Sequence, residues 1–62
     1  MNILANLDKW RIVDGADGKY INADAVVDEN TTRIYEKILR IAFGKRLVET
    51  DKGYYELGDE HK

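Results

Sequence analysis

The sequence predicts a small α+β domain that combines a short N-terminal helix, a short strand, a short helix, a long helix and a C-terminal β-hairpin. Two patterns and the chain length lead to this class. Residues 30–44 repeat apolar side chains at the spacing of one helix face. Residues 46–57 hold two strand-like runs around a turn that contains glycine. The 62 residues suffice for one domain with one small core.

The long helix is predicted from Asn30 to Gly44, NTTRIYEKILRIAFG. Its basic residues follow a helical period on the side opposite the apolar residues. Asn30 or Thr31 can cap the first turn, and Gly44 can adopt the left-handed conformation that ends a helix. The inner face is expected to hold the core through Ile34, Ile38, Leu39 and Ala42.

The first ten residues predict a short helix, because four apolar residues form one stripe: Ile3, Leu4, Leu7 and Trp10. The sequence DGADG at residues 14–18 then predicts a turn. Two interpretations of its flanks stay open. Residues 11–13 and 19–22 form the arms of a hairpin, or the first helix continues to about Val13 and only residues 19–21 form a strand.

Residues 22–29, NADAVVDE, predict a second short helix that Asn22 or Asp24 can cap. After the long helix, residues 46–50 and 54–57 predict a hairpin with the loop Asp51-Lys52-Gly53. Adjacent residues of a strand point to opposite faces, so one tyrosine of the Tyr54-Tyr55 pair is expected in the core. The domain is predicted to span residues 1–58, with a polar tail at 59–62.

The segment from Ile21 to Gly58 resembles the core of a winged helix-turn-helix DNA-binding domain. INADAVV resembles the entry from a strand into the second helix, and TTRIYEKILRIA resembles the recognition helix. RLVETDKGYYELG resembles the wing. The resemblance covers about two thirds of the chain and consists of a pattern of residue types.

This resemblance implies a small DNA-binding regulator, of a size that fits a small prokaryotic, phage or mobile-element protein. The helix from Thr31 would enter the major groove of double-stranded DNA, and the wing would contact a neighbouring phosphate. The implied DNA-binding residues are Thr31, Thr32, Arg33, Lys37, Arg40 and Lys52. Arg33 is the residue suited to a two-pronged contact with guanine.

The charge distribution agrees with one basic element in an acidic chain. The net charge is −2, yet residues 30–46 carry five basic residues and one acidic residue. The rest of the chain carries five basic and eleven acidic residues. This asymmetry indicates an anionic partner for the basic element, or a solvated outer face.

A second hypothesis is an acidic protein–protein interaction module without DNA binding, such as a host-factor inhibitor or a nucleic-acid mimic. Tyrosine and tryptophan are frequent interface anchors, so the candidate interface residues are Trp10, Tyr20 and Tyr54. Because a chain this small is short of core, the sequence is also compatible with a homodimer. Neither hypothesis requires a membrane partner.

The alternative fold keeps the same elements in another arrangement. Two hairpins, at residues 11–22 and 46–57, would form one antiparallel sheet with the long helix packed on it. Extended backbone at residues 22–28 would favour this fold, and helical backbone there would favour the winged fold.

The residue inventory gives little support for catalysis or metal binding. The chain has no cysteine and no serine, and its single histidine, His61, lies in the tail. We therefore expect no enzymatic activity, no catalytic or metal-ligating residues and no cofactor. No apolar run reaches the ~20 residues of a membrane span, and the N-terminus lacks a secretion signal, so a cytoplasmic location is expected.

Overall fold

Five β-strands account for most of the chain in a computed structural model that describes residues 2–61. They are β1 (Ile3–Gly15), β2 (Gly18–Val27), β3 (Asn30–Ala42), β4 (Leu47–Thr50) and β5 (Gly53–Leu57), with a 3₁₀ turn at Phe43–Lys45 between β3 and β4. Each strand is antiparallel to the next, and the sheet closes into a barrel.

The barrel closes where β5 pairs with β1 in parallel, with Ile3 opposite Tyr54 and Leu7 opposite Leu57. An odd number of strands that alternate in direction leaves the first and last running the same way, so one parallel pair is unavoidable. The tail extends this closure. The Trp10 amide donates to the Asp59 carbonyl at 3.4 Å, and the His61 amide donates to the Trp10 carbonyl at 2.8 Å.

The core lies inside the barrel and comes from four of the five strands as buried side chains. These are Ala5, Leu7, Trp10, Ile21, Ala23, Val48, Tyr55 and Leu57. Strand β3 contributes partly buried isoleucines that pack against this cluster: Ile34, Ile38 and Ile41. The core is small, so the ladder hydrogen bonds and barrel closure have a large share in holding the fold.

The prediction of a winged helix-turn-helix domain is wrong. Within residues 2–61 the only helical segment is the 3₁₀ turn, and the predicted recognition helix is strand β3. The alternative fold is also wrong, because it needs the same long helix. Its two hairpins are present, however, as β1–β2 and β4–β5. The assignments of helix-turn-helix DNA binding and transcription regulation depended on these helices, so they are wrong as well.

A β-bulge explains why β3 resembles a helix in sequence. Its inward isoleucines are Ile34, Ile38 and Ile41, whose spacing of four and three residues is that of a helix face. The register shifts between Ile38 and Arg40, which changes the parity of the strand. A polar residue, Glu36, occupies the inward position between Ile34 and Ile38 and hides the period of two.

Two residues assigned to the inner helix face consequently lie outside the core. Leu39 falls within the bulge and is 54% exposed, and Ala42 is exposed near the end of β3. Only Ile34 and Ile38 of the four predicted core residues pack against the core cluster.

A second bulge accounts for the wrong helix prediction at the N-terminus. The register of β1 against β2 shifts between Asp8 and Arg11, and Lys9 has a positive φ of 52°. This extra residue places Leu7 and Trp10 on the same inner side, although they are three residues apart. Ile3 and Leu4, from the same predicted stripe, are exposed.

The short helix predicted at residues 22–29 is also wrong. Residues up to Val27 belong to β2, with Ile21 and Ala23 buried and Asn22 between them half-buried. The turn into β3 consists of Asp28 and Glu29, and Asp28 takes a φ of 55°, which aspartate tolerates better than most residues.

The C-terminal hairpin is confirmed, with a shorter loop than predicted. Asp51 and Lys52 form the turn, and Gly53 already pairs with Thr50 as the first residue of β5. Tyr55 points into the core and is 5% exposed, whereas Tyr54 lies on the outer face, as the alternation predicts.

Candidate functional site

Strand β3 is paired differently along its length. Residues 30–37 pair with β2, from Asn30 opposite Val27 to Lys37 opposite Tyr20. From Ile38 onward the strand pairs with β4 instead. No strand within residues 2–61 pairs with the other edge of residues 30–37, which we call the open edge of β3. The outer face and edges of this strand are the candidate site.

The basic residues of β3 face carboxylates on the neighbouring strands and turns. Arg33 Nη1 lies 2.9 Å from Asp24 Oδ1, and Lys37 Nζ lies 3.3 Å from Asp17 Oδ2. In the second half of the strand, Arg40 forms the equivalent pair with Glu49 at 2.7 Å. These three cations were predicted to contact DNA. The fold instead surrounds them with acidic residues from outside residues 30–46, which compensates most of the local positive charge.

The other three predicted DNA-binding residues are exposed, and they lie in two different parts of the fold. Thr31 and Thr32 belong to the ladder with β2, opposite Val26 and Ala25, and no helix N-terminus exists there to bind phosphate. Lys52 lies in the β4–β5 turn, where its amide donates to Thr50 Oγ1 at 3.1 Å.

Two tyrosines form a stacked pair on the outer face of β2 and β3. The rings of Tyr20 and Tyr35 are 4.9 Å apart and nearly parallel, at 7°. Tyr20 also lies against Gly15, where an added methyl group would come within 2.6 Å of the ring. The Tyr20 hydroxyl donates to Asp17 at 2.7 Å, and this hydrogen bond raises the pKa of Tyr20 and lowers that of Asp17.

Tyr35 is the exposed member of the pair, with 55% of its surface accessible. Trp10, in contrast, is only 8% exposed, because its ring belongs to the core. Its Nε1 donates to the Gly58 carbonyl at 2.9 Å, and Phe43 packs on it with ring centroids 6.1 Å apart. Of the three candidate interface residues, Tyr20 and Tyr54 are half-buried on the outer face, and Trp10 offers little surface to a partner.

A half-buried carboxylate lies on the inner side of the first half of β3. Glu36 accepts hydrogen bonds from Thr50 Oγ1 at 2.7 Å and from the Tyr55 hydroxyl at 3.1 Å. Burial, together with this carboxylate, raises the pKa of Tyr55 to about 12. Sequence reasoning missed this cluster, because a helical β3 places Glu36 on the solvent side. Strand parity counted from Ile34 would have placed it inside.

A pocket of about 350 Å³ lies beside the second half of β3, and we call it the β3–β5 pocket. Its walls come from β3, the 3₁₀ turn, β4 and β5: Arg40, Ile41, Ala42, Lys45, Leu47, Glu49 and Tyr54. The Arg40 guanidinium bonds to Glu49 through Nε at 2.8 Å and reaches the Tyr54 hydroxyl at 3.4 Å. The hydrogen bond to Glu49 raises the pKa of Arg40.

Comparisons of the chain with protein-family models, curated proteins and solved structures found no match. Within residues 2–61 no helix is long and apolar enough to cross a membrane. Function is therefore inferred from the geometry of β3.

Proposed function

We propose that this protein is a protein–protein interaction module that binds an extended segment of a partner protein as an added strand along the open edge of β3. One observation carries the proposal. Residues 30–37 pair with β2 on one side and with no strand of the described chain on the other, whereas from Ile38 onward β4 pairs with the strand on that other side. An unpaired edge offers backbone donors and acceptors to another chain.

The composition of this edge suits strand addition. It contains no proline, and it has three β-branched residues, Thr31, Thr32 and Ile34, which favour extended backbone. Edge strands that avoid pairing are usually short, or they carry bulges, proline, lysine or an inward-pointing charge. Of these devices the edge has Lys37, which pairs with Asp17, and Glu36, which accepts from Tyr55. Here the bulge comes only at the end of the edge, between Ile38 and Arg40.

The hairpin register identifies the groups available to a partner. Val27 and Asn30 flank a two-residue loop, and such a pair exchanges both of its hydrogen bonds. Because the pattern alternates, we expect the amides of four residues to point to the open edge: Thr31, Arg33, Tyr35 and Lys37. Their side chains all lie on the outer face, so backbone and side-chain contacts would coincide.

Two of these side chains are suitable anchors for a protein partner. Tyr35 is largely exposed, and the Arg33 side chain is about half exposed beside Asp24. Tyrosine and arginine are enriched among the residues that dominate interface energies. Duplex DNA fits this surface less well, since Arg33 and Lys37 already face carboxylates and the chain carries a net charge of −2.

The test is selection of binders from a random-peptide library, followed by amide hydrogen exchange and NMR titration of the selected peptides. We expect the four outward amides to become protected when peptide is added. Thr31→Pro removes one of them without removing a β2 ladder bond, and it should weaken peptide binding by about tenfold or more.

The chain offers a matched control on another unpaired edge, in β1. From Arg11 to Gly15, strand β1 pairs only with β2, and the backbone amide of Asp14 is expected to point away from β2. Asp14→Pro should leave peptide binding unchanged. Binding that is lost in Asp14→Pro and retained in Thr31→Pro would contradict the proposal. Protection of the β3 amides that rises with protein concentration in the absence of peptide would instead assign the edge to a second copy.

A further inference from the structure

The β3–β5 pocket lies on the second half of β3, away from the open edge, and its chemistry is mixed. Its lining combines three apolar residues, Ile41, Ala42 and Leu47, with two cations, one carboxylate and one phenol. Its volume of about 350 Å³ falls in the range of small-molecule sites.

The single carboxylate of the pocket is already neutralised. Glu49 receives both Nε and Nη2 of Arg40, at 2.8 and 2.7 Å. Lys45 has no ion-pair partner among the described residues, so the pocket keeps one uncompensated positive charge. Two further donor positions add to it, one on the Arg40 guanidinium and one on the Tyr54 phenol. Arg40 Nη1 has no hydrogen-bond acceptor in the described chain, and the Tyr54 hydroxyl accepts from Arg40 and keeps its own proton to donate.

We infer that this pocket binds a small monocarboxylate that carries a short apolar body. The carboxylate pairs with Lys45 and accepts from Arg40 Nη1 and Tyr54, while the apolar body covers Leu47 and Ala42. A monoanion matches the single uncompensated charge, and a carboxylate has two oxygens that can accept from Lys45, Arg40 Nη1 and the Tyr54 hydroxyl. This site is independent of strand addition at the open edge, because it uses the other half of β3.

The test is NMR titration with hexanoate and phenylacetate, each compared with its neutral amide at the same ionic strength. We expect shifts centred on Lys45, Leu47 and Tyr54, and an amide that binds about tenfold more weakly or not at all. Lys45→Ala should weaken carboxylate binding by about threefold to fivefold, while Lys52→Ala, which removes a charge from the β4–β5 turn, should have no effect.

Glu49→Gln separates charge recognition from a structural role. Removal of the competing carboxylate frees the Arg40 guanidinium for the ligand, so the affinity for hexanoate should rise. A loss of affinity in this variant, equal binding of acid and amide, or shifts that centre on another face would each overturn the inference. Lack of binding by both acids at millimolar concentration would also overturn it.

Discussion

The two halves of β3 carry similar side chains but form different surfaces. In the first half, Arg33 and Lys37 face carboxylates, and the strand has an open edge. In the second half, Arg40 also faces a carboxylate, but β4 covers the edge and a pocket forms against β5. The difference comes from the neighbours, since β4 is only four residues long and ends opposite Ile38. Strand length therefore decides which part of β3 is available to another chain.

The largest expected effect tests the assignment of the edge directly. Thr32 lies opposite Ala25 in a pair expected to be hydrogen-bonded, so Thr32→Pro removes a ladder bond to β2. We expect it to cost at least the ~1–3 kcal/mol of an unmade ladder bond, with the fixed φ of proline adding to this, against the ~3–5 kcal/mol that a core of this size provides. Thr31→Pro should cost much less. Urea unfolding followed by circular dichroism measures both, and equal losses would show that the register is misassigned.

The next effect concerns the half-buried carboxylate, which only the first half of β3 possesses. Glu36→Ala leaves the buried Tyr55 hydroxyl without its acceptor, and Thr50 keeps only the long contact to the Gly53 carbonyl at 3.5 Å. The expected cost is about 1–3 kcal/mol in the free energy of unfolding. Glu49→Ala is the matched change in β4. Its cost should be far smaller, because the partner of Glu49, Arg40, is exposed and water can replace the lost contact. A similar cost for both variants would refute the special role of Glu36.

A smaller effect appears in the dependence of stability on pH. The pKa of Tyr55 is raised from 10.0 to about 12 in the folded protein, so folding favours the protonated phenol. This contribution is complete below pH 10 and is lost as the pH rises from 10 towards 12. The stability difference between wild type and Tyr55→Phe should therefore shift in favour of the variant over this range. A difference that stays constant from pH 9 to 12 would contradict the raised pKa.

The smallest effects are expected for the exposed ion pairs of the two halves. Arg33→Ala and Arg40→Ala should each change stability by an amount close to the error of an unfolding measurement, and the change should shrink in high salt. The two variants differ in binding rather than stability. Arg33→Ala should weaken binding of the peptides selected on the open edge, and Arg40→Ala should weaken binding of hexanoate. If Arg33→Ala weakened hexanoate binding and Arg40→Ala weakened peptide binding, the distinction between the two halves would be wrong.

The elements that the sequence predicts correctly are those with local causes. The β4–β5 hairpin follows from strand-forming residues around Asp51-Lys52-Gly53, and the buried Tyr55 follows from alternation. The β1–β2 hairpin follows from the glycine-rich turn, although the sequence did not decide whether the flanking residues form strands. Turn chemistry acts over a few residues, so it can be read without knowledge of the rest of the chain.

The two longest strands could not be predicted from apolar spacing, because each contains a bulge that shifts its parity. A bulge is fixed by the register against a neighbouring strand, and that register depends on barrel closure. The stronger clue in β3 was composition, since Thr31, Thr32, Ile34, Ile38 and Ile41 are all β-branched. The candidate site was likewise predictable only in part. The exposure of Arg33 and Arg40 was predictable, but their partners Asp24 and Glu49 come from other strands.

The sequence alone determined the turns, the alternation of Tyr54 and Tyr55, and the concentration of basic residues at positions 30–46, because each depends on residue type and local geometry. Only the tertiary structure decided that this basic segment is a strand, that Glu36 lies inside the barrel, and that the basic side chains are paired across strands. Those features depend on which strands are neighbours and in what register. Closure of five strands into one barrel fixes both at once.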